Sequence, residues 1–143
     1  MNKTIRVPVI ILNGFLGSGK TTLFRNLLAQ SKQNNIVVSG IVNDMSELDV
    51  DGELLGYTDV VEENNNILES IYSCVLSSKI GIEKLDQALQ KLISSETPEL
   101  IIIETSGSCH PMPLIEYFKE NTKVILNGVF TLVDSLMLAH DFN

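Results

Sequence analysis

Gly14-Phe15-Leu16-Gly17-Ser18-Gly19-Lys20-Thr21 carries the reading of the whole chain, because it matches the pattern G-x-x-x-x-G-K-[ST] at every specified position. The glycines let the backbone curl so that successive N–H groups point inward at phosphate oxygens, and a following helix adds its positive N-terminal end. In such a loop Lys20 bridges the β- and γ-phosphates, the Thr21 hydroxyl ligates Mg²⁺ and Thr22 bonds the α-phosphate. Gly14, Gly17, Ser18, Gly19, Lys20, Thr21 and Thr22 are therefore the candidate nucleotide-binding residues. The plainer alternative is a glycine turn that only tightens a strand-to-helix corner.

The flanks argue against that alternative. Residues 6–13 (RVPVIILN) form a short continuous apolar run, the mark of a strand buried on both faces of a parallel sheet. Residues 22–31 carry Leu23, Phe24, Leu27 and Leu28 at helical spacing. Strand, glycine loop and helix follow in the order a phosphate loop requires.

Further along, residues 36–42 (IVVSGIV) are rich in β-branched residues and predict a second strand. Residues 43–56 are acidic and poor in apolar side chains, and are expected to form a long functional loop. Val60 and Val61 open a possible short strand before the polar turn material of residues 62–66 (EENNN), and no element is assigned from there to Ser78. Ile82, Leu85, Ala88, Leu89, Leu92 and Ile93 then predict an amphipathic helix over residues 81–94. A pure aliphatic strand at 100–103 leads into Glu104-Thr105-Ser106-Gly107, and a short helix opened by proline is expected at 111–119. Residues 124–133 supply a last strand, broken at Asn127-Gly128 or preceded by a turn there. Strands alternating with helices imply an α/β fold, a mostly parallel sheet with helices on both faces. Ligands in such sheets sit beyond the carboxyl ends of the strands, where Gly14, Asn43, Glu104 and Asp134 are all expected.

The chain has 143 residues, 44% of them apolar and four of them proline, enough for a single domain with one buried core. Ten basic against eighteen acidic residues give a net charge of −8, which disfavours nucleic acid as a partner but not a nucleotide bound through backbone N–H groups, one lysine and a metal. The apolar start at Ile5 to Leu12 runs into a glycine turn rather than a cleavage site, so it reads as a strand and not as a signal peptide. No apolar run is long enough to span a membrane, and two distant cysteines make no disulfide framework, so a cytoplasmic setting is expected.

A carboxylate that helps to hold Mg²⁺ usually ends a buried strand, and Glu104 meets that need; the bland alternative is a strand-end acid facing solvent. Gly107, three residues on, would let a backbone N–H approach the γ-phosphate. In the acidic loop, Asn43, Asp44, Glu47 and Asp51 offer groups to contact Mg²⁺ or orient an attacking water, although such loops are more often simply solvated.

These stretches together, Gly14 to Thr22, Asn43-Asp44 with Asp51-Gly52, Glu104 to Gly107 with Pro111, and Val133-Asp134, resemble the CobW-like GTPases, relatives of UreG and HypB. The resemblance implies a P-loop GTPase that handles or delivers zinc or cobalt. It places Lys20 and Thr21 at the phosphates and Mg²⁺, Asp44 and Asp51 in a first switch loop and Glu104 to Gly107 in a second. Phe15 stands where a related class of dimeric ATPases carries a signature lysine, which favours the GTPase branch.

The chain departs from the family at two points. Its metal motif, Gly-Cys-x-Cys-Cys, would fall where this sequence reads Ser70-Ile71-Tyr72-Ser73-Cys74, and one thiolate does not make a tetrahedral site. Cys109 and His110 offer themselves to join Cys74 in a rearranged transition-metal site, against the ordinary reading of a free cysteine as a small buried hydrophobe. Second, the family reads guanine with an Asn/Thr-Lys-x-Asp motif that follows the Val-Asp strand. Residues 1–143 are thus expected to be one P-loop domain that stops before that motif. The expected activity is Mg²⁺-assisted hydrolysis of GTP to GDP and phosphate, slow because neither Arg6 nor Arg25 is placed as an arginine finger. A metalloprotein client or a dimer partner could supply what is absent. Two other readings stand beside it: a non-catalytic nucleotide-binding or interaction module, and an ATPase or small-molecule kinase.

Overall fold

The opening apolar run forms β1 (Val7–Gly14), with Val9, Ile11 and Leu12 removed from solvent as expected of a central strand. The computed structural model describes residues 5–14, 20–44, 68–72, 75–107 and 109–133. After β1 come α1 (Lys20–Gln33), β2 (Val38–Asp44), β3 (Leu68–Tyr72), α2 (Lys79–Glu96), β4 (Leu100–Glu104), α3 (Pro111–Glu120) and β5 (Val124–Leu132). The five strands form one sheet in the order β3-β2-β4-β1-β5, and every pairing is parallel.

Strand alternation divides the core into two layers. Ile10, Leu12, Val38, Val42 and Ile102 point to one face, where Phe24 and Leu28 of α1 cover them. Val9, Ile11, Ile41, Ile101 and Ile103 point to the other, beneath Leu85, Leu89 and Leu92 of α2 and Leu114 and Phe118 of α3. This division follows from right-handed crossovers: the chain moves one way across the sheet through α1 and the opposite way through α2 and α3, so the helices fall on opposite faces. Each buried aliphatic contributes roughly 1.5–3 kcal/mol. The Lys91–Glu69 ion pair, 2.8 Å long with Lys91 70% exposed, adds at most about 1 kcal/mol. Burial, not ion pairing, holds α2 on the sheet.

Several elements differ from the sequence expectation. The helix expected at 22–31 begins two residues earlier, at Lys20 itself. Asn43 and Asp44, expected in a loop, complete β2 and pair with Ile71 and Tyr72 of β3. β3 has no counterpart in the sequence reading, because Glu69, Ser70 and Tyr72 interrupt its apolar pattern. It is an edge strand, and only part of it needs to be apolar. Asn127-Gly128 is neither a break nor a turn: Leu126 pairs with Val9 and Gly128 with Ile10, so Asn127 is the extra residue of a β-bulge inside a continuous β5. Val60, Val61 and most of the acidic loop lie outside the described residues.

Candidate nucleotide site

Because all five strands run the same way, their carboxyl ends meet at one edge of the sheet. Register sets Glu104 abreast of Leu12 on one side and Val42 on the other, and Gly14 abreast of Leu132. Gly14 ends β1 at φ 152°, a conformation that L side chains rarely adopt, so the turn out of the sheet requires glycine there. The next described residue, Lys20, opens α1.

Lys20 is 9% exposed, and its Nζ donates a 2.8 Å hydrogen bond to the Thr105 carbonyl. Thr105 is in turn fixed to β1: its N–H donates to Leu12 O at 3.0 Å, and its hydroxyl donates to Asn13 Oδ1 at 2.9 Å and lies 3.3 Å from Leu12 O. The lysine of the glycine loop and the residue after Glu104 are thereby locked together at the seam between β1 and β4. Alternation puts Glu104, 7% exposed, on the same face as Ile102, which is the α1 face.

Burial lowers the Lys20 pKa from its ordinary value, and the nearby negative charge of Glu104, then of Cys109, works against that fall. Cys109 is shifted the other way. Burial pushes its thiol up, while hydrogen bonds from the Ser77 hydroxyl and backbone, and the Lys20 charge, oppose the rise. A desolvated ammonium beside a buried carboxylate gives a strong local field, because little water screens either group.

Gly14, Lys20 and Glu104 thus stand at one edge of the sheet. Thr22 is exposed in the first turn of α1, Gly107 is half-buried in a turn after β4, and the backbones of Thr21 and Asp44 end at the same edge. Asn43 is buried, and its Nδ2 donates to Ile71 O at 3.2 Å, so its amide ties β2 to β3. Gly17, Ser18, Gly19, Asp51, Cys74 and Asp134 lie outside the described residues. Cys109 is buried and its Sγ faces the His110 carbonyl at 3.8 Å, whereas His110 is exposed. Among the described residues no group of three His, Cys, Asp or Glu side chains is placed to hold a metal ion. The sequence reading missed the roles of Asn13 and Thr105. The available signal was a polar residue just before the end of β1 and another just after the end of β4.

The family model described as the CobW/HypB/UreG nucleotide-binding domain matches residues 8–142. The chain belongs to this family. Within the CobW/HypB/UreG family it is 35% identical over 139 residues to the zinc chaperone CobW of a Sinorhizobium species, covering 94% of this chain and 38% of that protein. It is 30% identical to the zinc chaperone YjiA of Escherichia coli, over 96% of this chain and 43% of that one. It is also 33% identical to the zinc-regulated GTPase metalloprotein activator 1 of Dictyostelium discoideum, over 79% of this chain and 25% of that one. The chain therefore spans less than half the length of these relatives. Its fold matches that of FlhF solved in complex with GTP and Mg²⁺, with a TM-score of 0.57 at 19% identity, over 98% of this chain and 51% of that one. The α/β expectation holds: a parallel sheet with helices on both faces, in the P-loop NTPase fold. Among the described residues no helix is long and apolar enough to cross a membrane.

Proposed function

We propose that this domain binds GTP with Mg²⁺ and hydrolyses it slowly to GDP and phosphate, as the nucleotide-driven part of a metal-handling protein. The observation that carries the reading is the buried Lys20, held at the head of α1 by the carbonyl that directly follows Glu104. A lysine is desolvated at the end of a parallel sheet at a cost in stability, and a polyphosphate anion is the ligand that recovers it. GTP in particular is supported by the names of the relatives, among them a zinc-regulated GTPase.

In this reading Lys20 meets the β- and γ-phosphates, and the glycine-rich motif that precedes it in sequence is assigned to cradling them. The Thr21 hydroxyl and the Glu104 carboxylate are hard oxygen donors suited to Mg²⁺, and Glu104 is already buried on the α1 face beside Lys20. Bound there, Mg²⁺ would neutralise charge on the phosphate oxygens. Asp44 and Asp51 are assigned to orienting the attacking water, and the Gly107 N–H to the γ-phosphate. Arg6 precedes β1, at the end of the sheet opposite the phosphate site, and Arg25 lies within α1, so neither arginine is placed as an arginine finger and turnover is expected to be slow. Zinc or cobalt would be cargo. Ligation by Cys74, Cys109 and His110 would require Cys109 to ionise against its burial, and the GTPase reading does not depend on it.

Single-turnover phosphate release tests this. Slow, Mg²⁺-dependent release from GTP that is lost in Glu104→Gln is expected. Bound GTP that yields no phosphate would instead favour the non-catalytic module, and faster release from ATP would favour an ATPase.

A further inference from the structure

We propose that Ser77 is a positioning residue, clamping the segment that follows Glu104 to the corner between β3 and α2; this deepens, and rests on, the GTPase reading above. The corner is itself rigid. Leu76 is fully buried, Ser78 N–H donates to Val75 O at 2.9 Å, and the Ser78 hydroxyl donates to Val75 O at 2.6 Å while accepting the Gly81 N–H at 3.0 Å. Gly81 lets this happen, because a Cβ there would stand 2.0 Å from Val75 O and 2.7 Å from Leu76 Cα.

Ser77 reaches from that block to the other segment. Its hydroxyl oxygen accepts the His110 N–H at 3.3 Å. Cys109 lies beside it, and Ser77 holds the pKa of that thiol lower than burial alone would. Cys109 passes the restraint back along the chain, its N–H donating to Ser106 O at 3.1 Å. Thr105 is anchored at the other end by Leu12, Asn13 and Lys20. Gly107 therefore lies between two clamps, one on the phosphate-loop side and one on Ser77. Removing the Ser77 hydroxyl releases the second while leaving the first in place, so the loss should fall on contacts to a γ-phosphate rather than on nucleotide binding as a whole.

The test compares the full chain with Ser77→Ala and Ser77→Thr in two measurements. The first is affinity for Mg²⁺-GDP and for a slowly hydrolysed Mg²⁺-GTP analogue. The second is the amide hydrogen-exchange rate of His110, whose N–H the Ser77 hydroxyl oxygen accepts. Ser77→Ala is expected to weaken the analogue about fivefold with GDP unchanged, and to speed exchange at His110 by a similar factor, as loss of one hydrogen bond implies. Ser77→Thr should restore both. Equal weakening of GDP and analogue, or exchange at the wild-type rate, overturns the clamp. If the unmodified chain binds neither nucleotide, the GTPase reading fails, and the exchange arm alone still decides whether Ser77 holds the segment.

Discussion

Lys20 and Thr105 are 85 residues apart in sequence and joined by a 2.8 Å hydrogen bond from the lysine Nζ to the threonine carbonyl. The bond links the start of α1 to the residue that follows β4. It also places a cation where burial disfavours it, and that has a consequence in pH.

In the fold the Lys20 pKa lies below its ordinary value of 10.5, which the unfolded chain keeps. Between the two values the unfolded state binds more protons than the folded one, so stability rises with pH across that window and is lost as pH falls through the folded pKa. The stability of the wild type relative to Lys20→Met should therefore increase on going from pH 7 to pH 10. Urea unfolding at several pH values checks this, and a constant or falling difference would show that Lys20 is not desolvated.

Thr105→Val keeps the branched shape and removes the hydroxyl that ties β4 to Asn13 and Leu12. The variant leaves Asn13 Oδ1 without this donor at a half-buried site, and should lose about 1–2 kcal/mol in denaturant unfolding. A neutral result would mean that the backbone bond from Thr105 N–H to Leu12 O suffices to hold the seam.

In most helices Gly→Ala gains up to about 1 kcal/mol. Gly81→Ala should do the reverse, because the new Cβ would meet backbone atoms of Val75 and Leu76 that cannot rotate away. A loss of roughly 1–3 kcal/mol is expected, measured as a lower thermal midpoint. A gain would show that α2 can shift without disturbing the corner.

The parts of this molecule that were legible in the sequence are those encoded locally. Residues 14–21 match the phosphate-loop pattern, the apolar runs at 7–12 and 100–103 form strands, and Glu104 is the acid that ends one of them. What was hidden depends on distant partners. Leu68–Tyr72 carries too mixed a pattern to announce a strand and becomes one by pairing with β2. Asn127-Gly128 has turn chemistry, yet pairing with β1 on both sides of it turns the extra residue into a bulge. Thr105 is ordinary until Asn13, 92 residues earlier, comes within 2.9 Å, and Ser77 until His110 docks on it.

The measurement that tests the central claim most directly is calorimetric titration of the chain with GDP, ADP and a slowly hydrolysed GTP analogue, each with Mg²⁺, beside a Lys20→Ala control. The account predicts saturable binding of the guanine nucleotides that disappears in the control. No binding to any of the three, or binding that survives the loss of Lys20, would contradict it.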